Sequence, residues 1–140
     1  MYKLGSNISS ISAARCEKNL SIPLFSTSVQ AGYPAPADDH IAHKLDLNQL
    51  LIESPHTTFF VRVSGDSMTN AGIEEGDILI VDRGLQPRNG KIIVAILNGE
   101  MTVKRLFKTQ DRVILYPENV AYPAIEVTED MDFQIWGVVR

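Results

Sequence analysis

"GKIIVAILNGEMTVKRLFK", residues 90–108, decides the fold. Its two apolar runs, 91–97 and 101–108, are rich in Ile and Val, side chains that suit a pleated surface. Between them, Asn98 and Gly99 tolerate the positive φ angles of a two-residue hairpin turn, which makes the runs antiparallel neighbours. In the second run a period of two sets Thr102, Lys104 and Leu106 on one face and Val103, Arg105 and Phe107 on the other. Lys104 therefore shares a face with an apolar residue. From the alternation alone it is either a buried amine or a solvated lysine beside Arg105.

Runs of the same kind surround this hairpin: 57–64 (TTFFVRVS), 77–83 (DILIVDR), 112–116 (RVILY) and 133–139 (FQIWGVV). Strands at short intervals, parted by Gly, Asn and Pro, predict a mainly β fold: an antiparallel sheet folded over as a sandwich or partial barrel. One short helix is expected in "DLNQLLIESP", with Asp46 as N-cap, Leu47, Leu50 and Leu51 at helical spacing, and Pro55 as a stop.

A chain of 140 residues suits one compact body, and its 44% hydrophobic and 21% charged residues are ordinary for a folded protein. The formal charge of −4 gives no broad footprint for nucleic acid, so direct sequence-specific DNA binding is disfavoured. The single Cys16 cannot form an internal disulfide, no apolar stretch is long enough to span a bilayer, and no secretory signal opens the chain. A cytoplasmic protein is expected.

Residues 1–31 read differently from the rest. They hold seven serines, scattered apolar residues and no sustained period, and are expected to form a flexible arm ahead of a β-rich domain over 32–140. The arm carries three basic residues and one acidic, leaving ten basic and sixteen acidic residues for the remainder, so the two attract weakly. The following "AGYPAPADD" favours an extended surface path that a protease can reach.

Candidate chemistry centres on "VSGDSM", residues 63–68. A serine hydroxyl needs a base to become a nucleophile. His40, His43 and His56 all precede the motif with no spacing that makes a triad, and with one cysteine and no clustered ligands no metal site and no cofactor are expected. Lysine is the other available base, because burial disfavours its ammonium and brings its pKa towards neutrality. Ser64 reads as a turn hydroxyl, and Asp66 as a cap for the segment after it rather than a third catalytic group.

Taken together, "VRVSGDSMTNAGIEEGDILIVD" and "GKIIVAILNGEMTVKRL" resemble the core of the LexA and UmuD family of self-cleaving serine–lysine proteases. The resemblance implies that Ser67 is the nucleophile and Lys104 its general base. It also implies cleavage between a small residue and a glycine upstream of the core, for which Ala31-Gly32 is the matching bond. Backbone N–H groups of Asp66 and Ser67 are the expected oxyanion donors, given a tight turn at Gly65. The short arm and "LDLNQLLIESP" are similar to the UmuD branch, whereas alanine before the scissile glycine is more like the repressors. That branch implies a homodimer and RecA-stimulated self-cleavage, with a RecA filament on single-stranded DNA as co-protease. It further implies a UmuC-like Y-family DNA polymerase as the partner of the processed chain. "FQIWGVV" is one candidate dimer contact, Trp136 being equally readable as core. The alternative is a non-catalytic polymerase or RecA adaptor that keeps the fold.

Overall fold

The computed structural model describes residues 3–4, 7–16, 21–25 and 41–140. They group into two compact units, Met1–Ala14 with His56–Arg140 and, separately, Arg15–Pro55. In chain order the elements are β1 (Lys3–Leu4), β2 (Ile8–Ala13), β3 (Ser21–Phe25), β4 (Ile41–Asp46), α1 (Leu47–Leu51), β5 (Thr58–Val63), a 3-10 turn (Thr69–Ala71), β6 (Ile78–Asp82), β7 (Ile92–Leu97), β8 (Glu100–Lys108), β9 (Val113–Tyr116), β10 (Ile125–Val127) and β11 (Phe133–Val139).

In the smaller unit β3 and β4 pair antiparallel, and β4 runs directly into α1. The Asp46 carboxylate accepts the Asn48 N–H at 2.9 Å, the N-cap that the sequence called for. The helix stops at Leu51, ahead of Pro55, with Ile52 N–H closing the last turn on Asn48 O.

The larger unit is built on a nine-stranded sheet. Eight strands follow the order β10-β9-β8-β7-β11-β6-β5-β2, all antiparallel, and β1 adds to β8 in parallel. All six runs expected to be strands are strands, within a residue or so of the expected limits. The hairpin forms as read: Leu97 pairs with Glu100 across Asn98 and Gly99, whose φ angles are 50° and 81°.

β7 explains the layering. Its run IIVAIL does not alternate with polar residues because both faces are covered. Val94 and Ile96 join a core with Val61, Val81 and Val103, while Ile93 and Ala95 join a second core with Leu106, Leu115 and Val138. β11 crosses between these cores through an irregularity at Ile135/Gly137. Trp136 faces the first core and Val138 the second, a change of face that regular alternation forbids. Glycine is required at the crossing, because a Cβ on Gly137 would lie 2.6 Å from Val81 Cγ1.

One difference from the sequence reading matters, and one open alternative closes. No strand was expected before residue 57, yet Ile8–Ala13 forms β2 and pairs with β5, placing Ile8 in the first core at 3% exposure. Serines hid it: β2 is an outer strand of the sheet, with only Ile8 buried and the serines at 9, 10 and 12 exposed. Trp136 is core, stacked edge-on against Phe59 at 5.2 Å with Arg83 over its ring. Ala31, Gly32, His40 and the segment "AGYPAPADD" lie outside the described residues.

Candidate active site

β5 ends at Val63 and the chain turns through Ser64, Gly65 and Asp66 to reach Ser67. Gly65 takes φ 76°, a left-handed conformation that a glycine adopts without strain. Ser67 is buried at 6% exposure and Met68 behind it at 2%, so the core holds the serine from below. The 117–124 loop holds it from the side. Glu118 N–H donates to Ser67 O at 2.9 Å, Asn70 N–H donates to Glu118 O at 2.7 Å, and Asn119 Nδ2 donates to Asp66 O at 2.9 Å.

The Asp66 carboxylate accepts the Tyr122 hydroxyl rather than capping the turn after it, which has no side-chain cap. That bond raises the Tyr122 pKa above its ordinary value. The Glu118 side chain pairs with Arg105 of β8, so the loop joins the serine turn to the lysine strand. Arg105 is thereby only partly exposed, while Lys104 beside it is buried at 7%.

Of the two readings open to Lys104, burial is the one found. Desolvation lowers its pKa below the ordinary lysine value, because the low-dielectric surroundings disfavour the ammonium. Nζ donates to Thr102 Oγ1 at 3.0 Å and to Val103 O at 3.1 Å. A neutral amine has two hydrogens, and these two acceptors use both. Its lone pair is left to accept a proton.

Ser67 and Lys104 share one network. The Asn7 carboxamide, 2% exposed, donates from Nδ2 to Ser67 Oγ at 3.1 Å, and its Oδ1 accepts the Thr102 hydroxyl at 3.1 Å. The hydrogen-bonded path between the two side chains is therefore Lys104, Thr102, Asn7, Ser67, with no direct hydrogen bond from Nζ to Oγ. Thr102 and Lys104 also line a groove whose other wall includes Tyr122, Pro123 and Ile125. A buried amine of lowered pKa, a buried hydroxyl and an adjoining groove are groups that serine–lysine acyl-transfer chemistry can use.

Comparison with known proteins agrees in kind. The Peptidase S24-like family profile matches residues 23–140. The chain belongs to the S24 peptidase family. It is a self-cleaving serine peptidase of that type, and its S24 relatives are close. Protein SamA of Salmonella typhimurium is 45% identical over 117 residues, covering 84% of this chain and 81% of the relative. Protein MucA of Escherichia coli is 40% identical over 120 residues, covering 85% and 82%. LexA repressor 1 of Xanthomonas campestris is 42% identical over 110 residues, which is 79% of this chain but 54% of the repressor.

Several residues around Ser67 and Lys104 were not found by sequence reasoning. Thr102 carried a usable signal, since the period of two puts it on the Lys104 face one pleat away. Asn119 and Tyr122 sit in an irregular loop, and Asn7 lies 60 residues from Ser67, so neither periodicity nor spacing points to them. His43 lies on β4 and His56 is exposed.

Proposed function

We propose that Ser67 and Lys104 are the reacting pair of a UmuD-like SOS-response protein that cuts its own chain at Ala31-Gly32. The observation that carries this reading is the burial of Lys104, which disfavours its ammonium and sets the amine in the same hydrogen-bond network as a buried serine hydroxyl.

Lys104 Nζ takes the Ser67 hydroxyl proton as Oγ attacks the Ala31 carbonyl carbon. The carbonyl oxygen becomes an oxyanion. The N–H groups of Asp66 and Ser67, which follow the left-handed Gly65, are the donors assigned to it. Collapse breaks the Ala31–Gly32 bond, and the ammonium of Lys104 returns its proton to the departing Gly32 amine. Water, deprotonated by the same lysine, then hydrolyses the Ser67 ester. The products are an arm of residues 1–31 and a domain of residues 32–140. Small residues on both sides of the bond let the backbone approach a cramped site.

A chain carrying its own substrate must hold it back. A partner that binds the cleavable arrangement preferentially raises the rate by shifting populations. The resemblance to the UmuD branch assigns that role to a RecA filament on single-stranded DNA. It assigns the processed homodimer to a UmuC-like Y-family polymerase, as accessory subunit in error-prone translesion synthesis in the cytoplasm.

Incubation of the purified chain at alkaline pH, followed by intact mass and N-terminal sequencing, tests the reading. Two fragments are expected, the larger beginning at Gly32. Ser67→Ala and Lys104→Ala chains stay whole. A fragment of the same mass from either variant contradicts it.

A further inference from the structure

Asn7 takes no part in these chemical steps, yet its carboxamide makes four hydrogen bonds inside the site. Nδ2 donates to Ser67 Oγ at 3.1 Å and to Val103 O at 2.9 Å, while Oδ1 accepts Val103 N–H and the Thr102 hydroxyl, each at 3.1 Å. Its backbone carbonyl accepts Ser64 N–H at 3.0 Å.

Two of these bonds have the form of strand pairing. β9 pairs with β8 only from Arg105 to Lys108, and β7 covers the other side, so the first half of β8 presents an open edge. β1 takes Glu100 and Met101 of that edge in parallel register. At Val103 the Asn7 carboxamide then takes both the N–H and the C=O, as the peptide group of an added strand does. Extended peptides bind sheet edges through these same main-chain groups.

We propose that β1 and Asn7 are resident occupants of the open edge of β8, with Asn7 as the latch that must leave before the scissile segment reaches Ser67. The proposal rests on the reading of Ser67 and Lys104 as the reacting pair. Three observations carry it. The Asn7 amide places an N–H on the serine oxygen, tying up a lone pair on the atom that must attack. It covers the Val103 groups that would align an extended substrate. And with Asn7 in place, Lys104 Nζ bonds to Thr102 and Val103 instead of to Ser67.

Buried polar groups left unpaired are costly, so Asn7 is not expected to leave an empty edge behind. A second segment of the same chain, bringing its own peptide groups to Val103, makes the exchange nearly neutral. The balance between resident and scissile segment then sets the rate, independently of protein concentration when both belong to one chain. A carboxamide suits the latch because it both donates and accepts. An aspartate at position 7 could accept from Val103 and Thr102 but could donate to neither Ser67 nor Val103.

The test measures the rate of Gly32-fragment formation by the full-length chain at fixed alkaline pH, wild type against Asn7→Ala. Loss of the latch is expected to raise the rate on the order of tenfold, the size set by losing two or more neutral hydrogen bonds from the blocked state. A synthetic peptide of residues 1–14, added in excess, is expected to slow both chains, and the same peptide with Asn7→Ala to slow neither. An unchanged or lower rate in a folded Asn7→Ala chain overturns the latch and makes Asn7 a support for the dyad instead. Should the variant fail to fold, the peptide on wild type decides alone: no slowing overturns the proposal. Scission that persists in Ser67→Ala overturns the dyad reading, and the latch with it.

Discussion

A lysine amine is an expensive group to place where Lys104 sits. It is buried among residues of a β-strand with no carboxylate bonded to it, and desolvation there lowers its pKa by disfavouring the ammonium. The sign of the linked effect on stability follows. With the folded pKa depressed below the unfolded value, the unfolded chain binds a proton that the folded chain does not, so stability rises with pH across that interval and levels off above the ordinary lysine value. Ser67 is positioned from outside by smaller contacts. Tyr122 OH on the Asp66 carboxylate and Asn119 Nδ2 on the Asp66 carbonyl fix the residue just before Ser67. Because that carboxylate raises the Tyr122 pKa, the hydroxyl keeps its proton further into the alkaline range. Tyr122→Phe, at an exposed position, and Asn119→Ala, at a half-buried one, are each expected to slow self-cleavage roughly fivefold, the equivalent of about one hydrogen bond, while leaving thermal stability nearly unchanged. Time courses of cleavage alongside melting curves check this. Equal loss of rate and of folded protein would make these residues merely structural.

At the scale of elements, the β7–β8 hairpin and the β11 irregularity set the site. The hairpin delivers Lys104 and Thr102 on one face, and β11 knits β7 to β6 while changing face at Gly137. Gly137→Ala drives a Cβ into Val81, a side chain with no exposure and no room to turn, and is expected to cost about 1–3 kcal/mol in denaturant titration. A neutral result would mean that β11 can shift its register. The hairpin was legible because every local signal agreed: β-branched runs, Asn-Gly between them, alternation in the second strand. The helix was legible for the same reason at Asp46 and Pro55. β2 was not. Its six residues include three serines, and its strand character comes from pairing with β5 some fifty residues away, a tertiary fact. β10, three residues in an irregular stretch, gave too short a pattern. The two residues proposed as the reacting pair were named from "SGDSM" and "TVKRL", but Asn7 was not, because a lone asparagine in a serine-rich segment carries no sign of the strand edge it will meet.

Across the whole chain, Asn7 precedes the proposed cleavage point, so cutting at Ala31-Gly32 would detach the proposed latch together with residues 1–31 in a single event. β11 lies between β7 and β6 with Trp136 in the core, which leaves its main chain fully paired and takes "FQIWGVV" out of use as an edge for a second copy. Among the described residues no helix is long and apolar enough to cross a membrane. Every step proposed for this molecule depends on the amine of Lys104 being neutral when Ser67 attacks. The pH dependence of the first-order rate of Gly32-fragment formation measures that directly. The account predicts a rate that climbs about tenfold per pH unit while the ammonium predominates, then bends to a plateau below the ordinary lysine range, with Lys104→Ala flat and near zero throughout. A rate that climbs without a bend through that range, or a profile that survives Lys104→Ala, would contradict it.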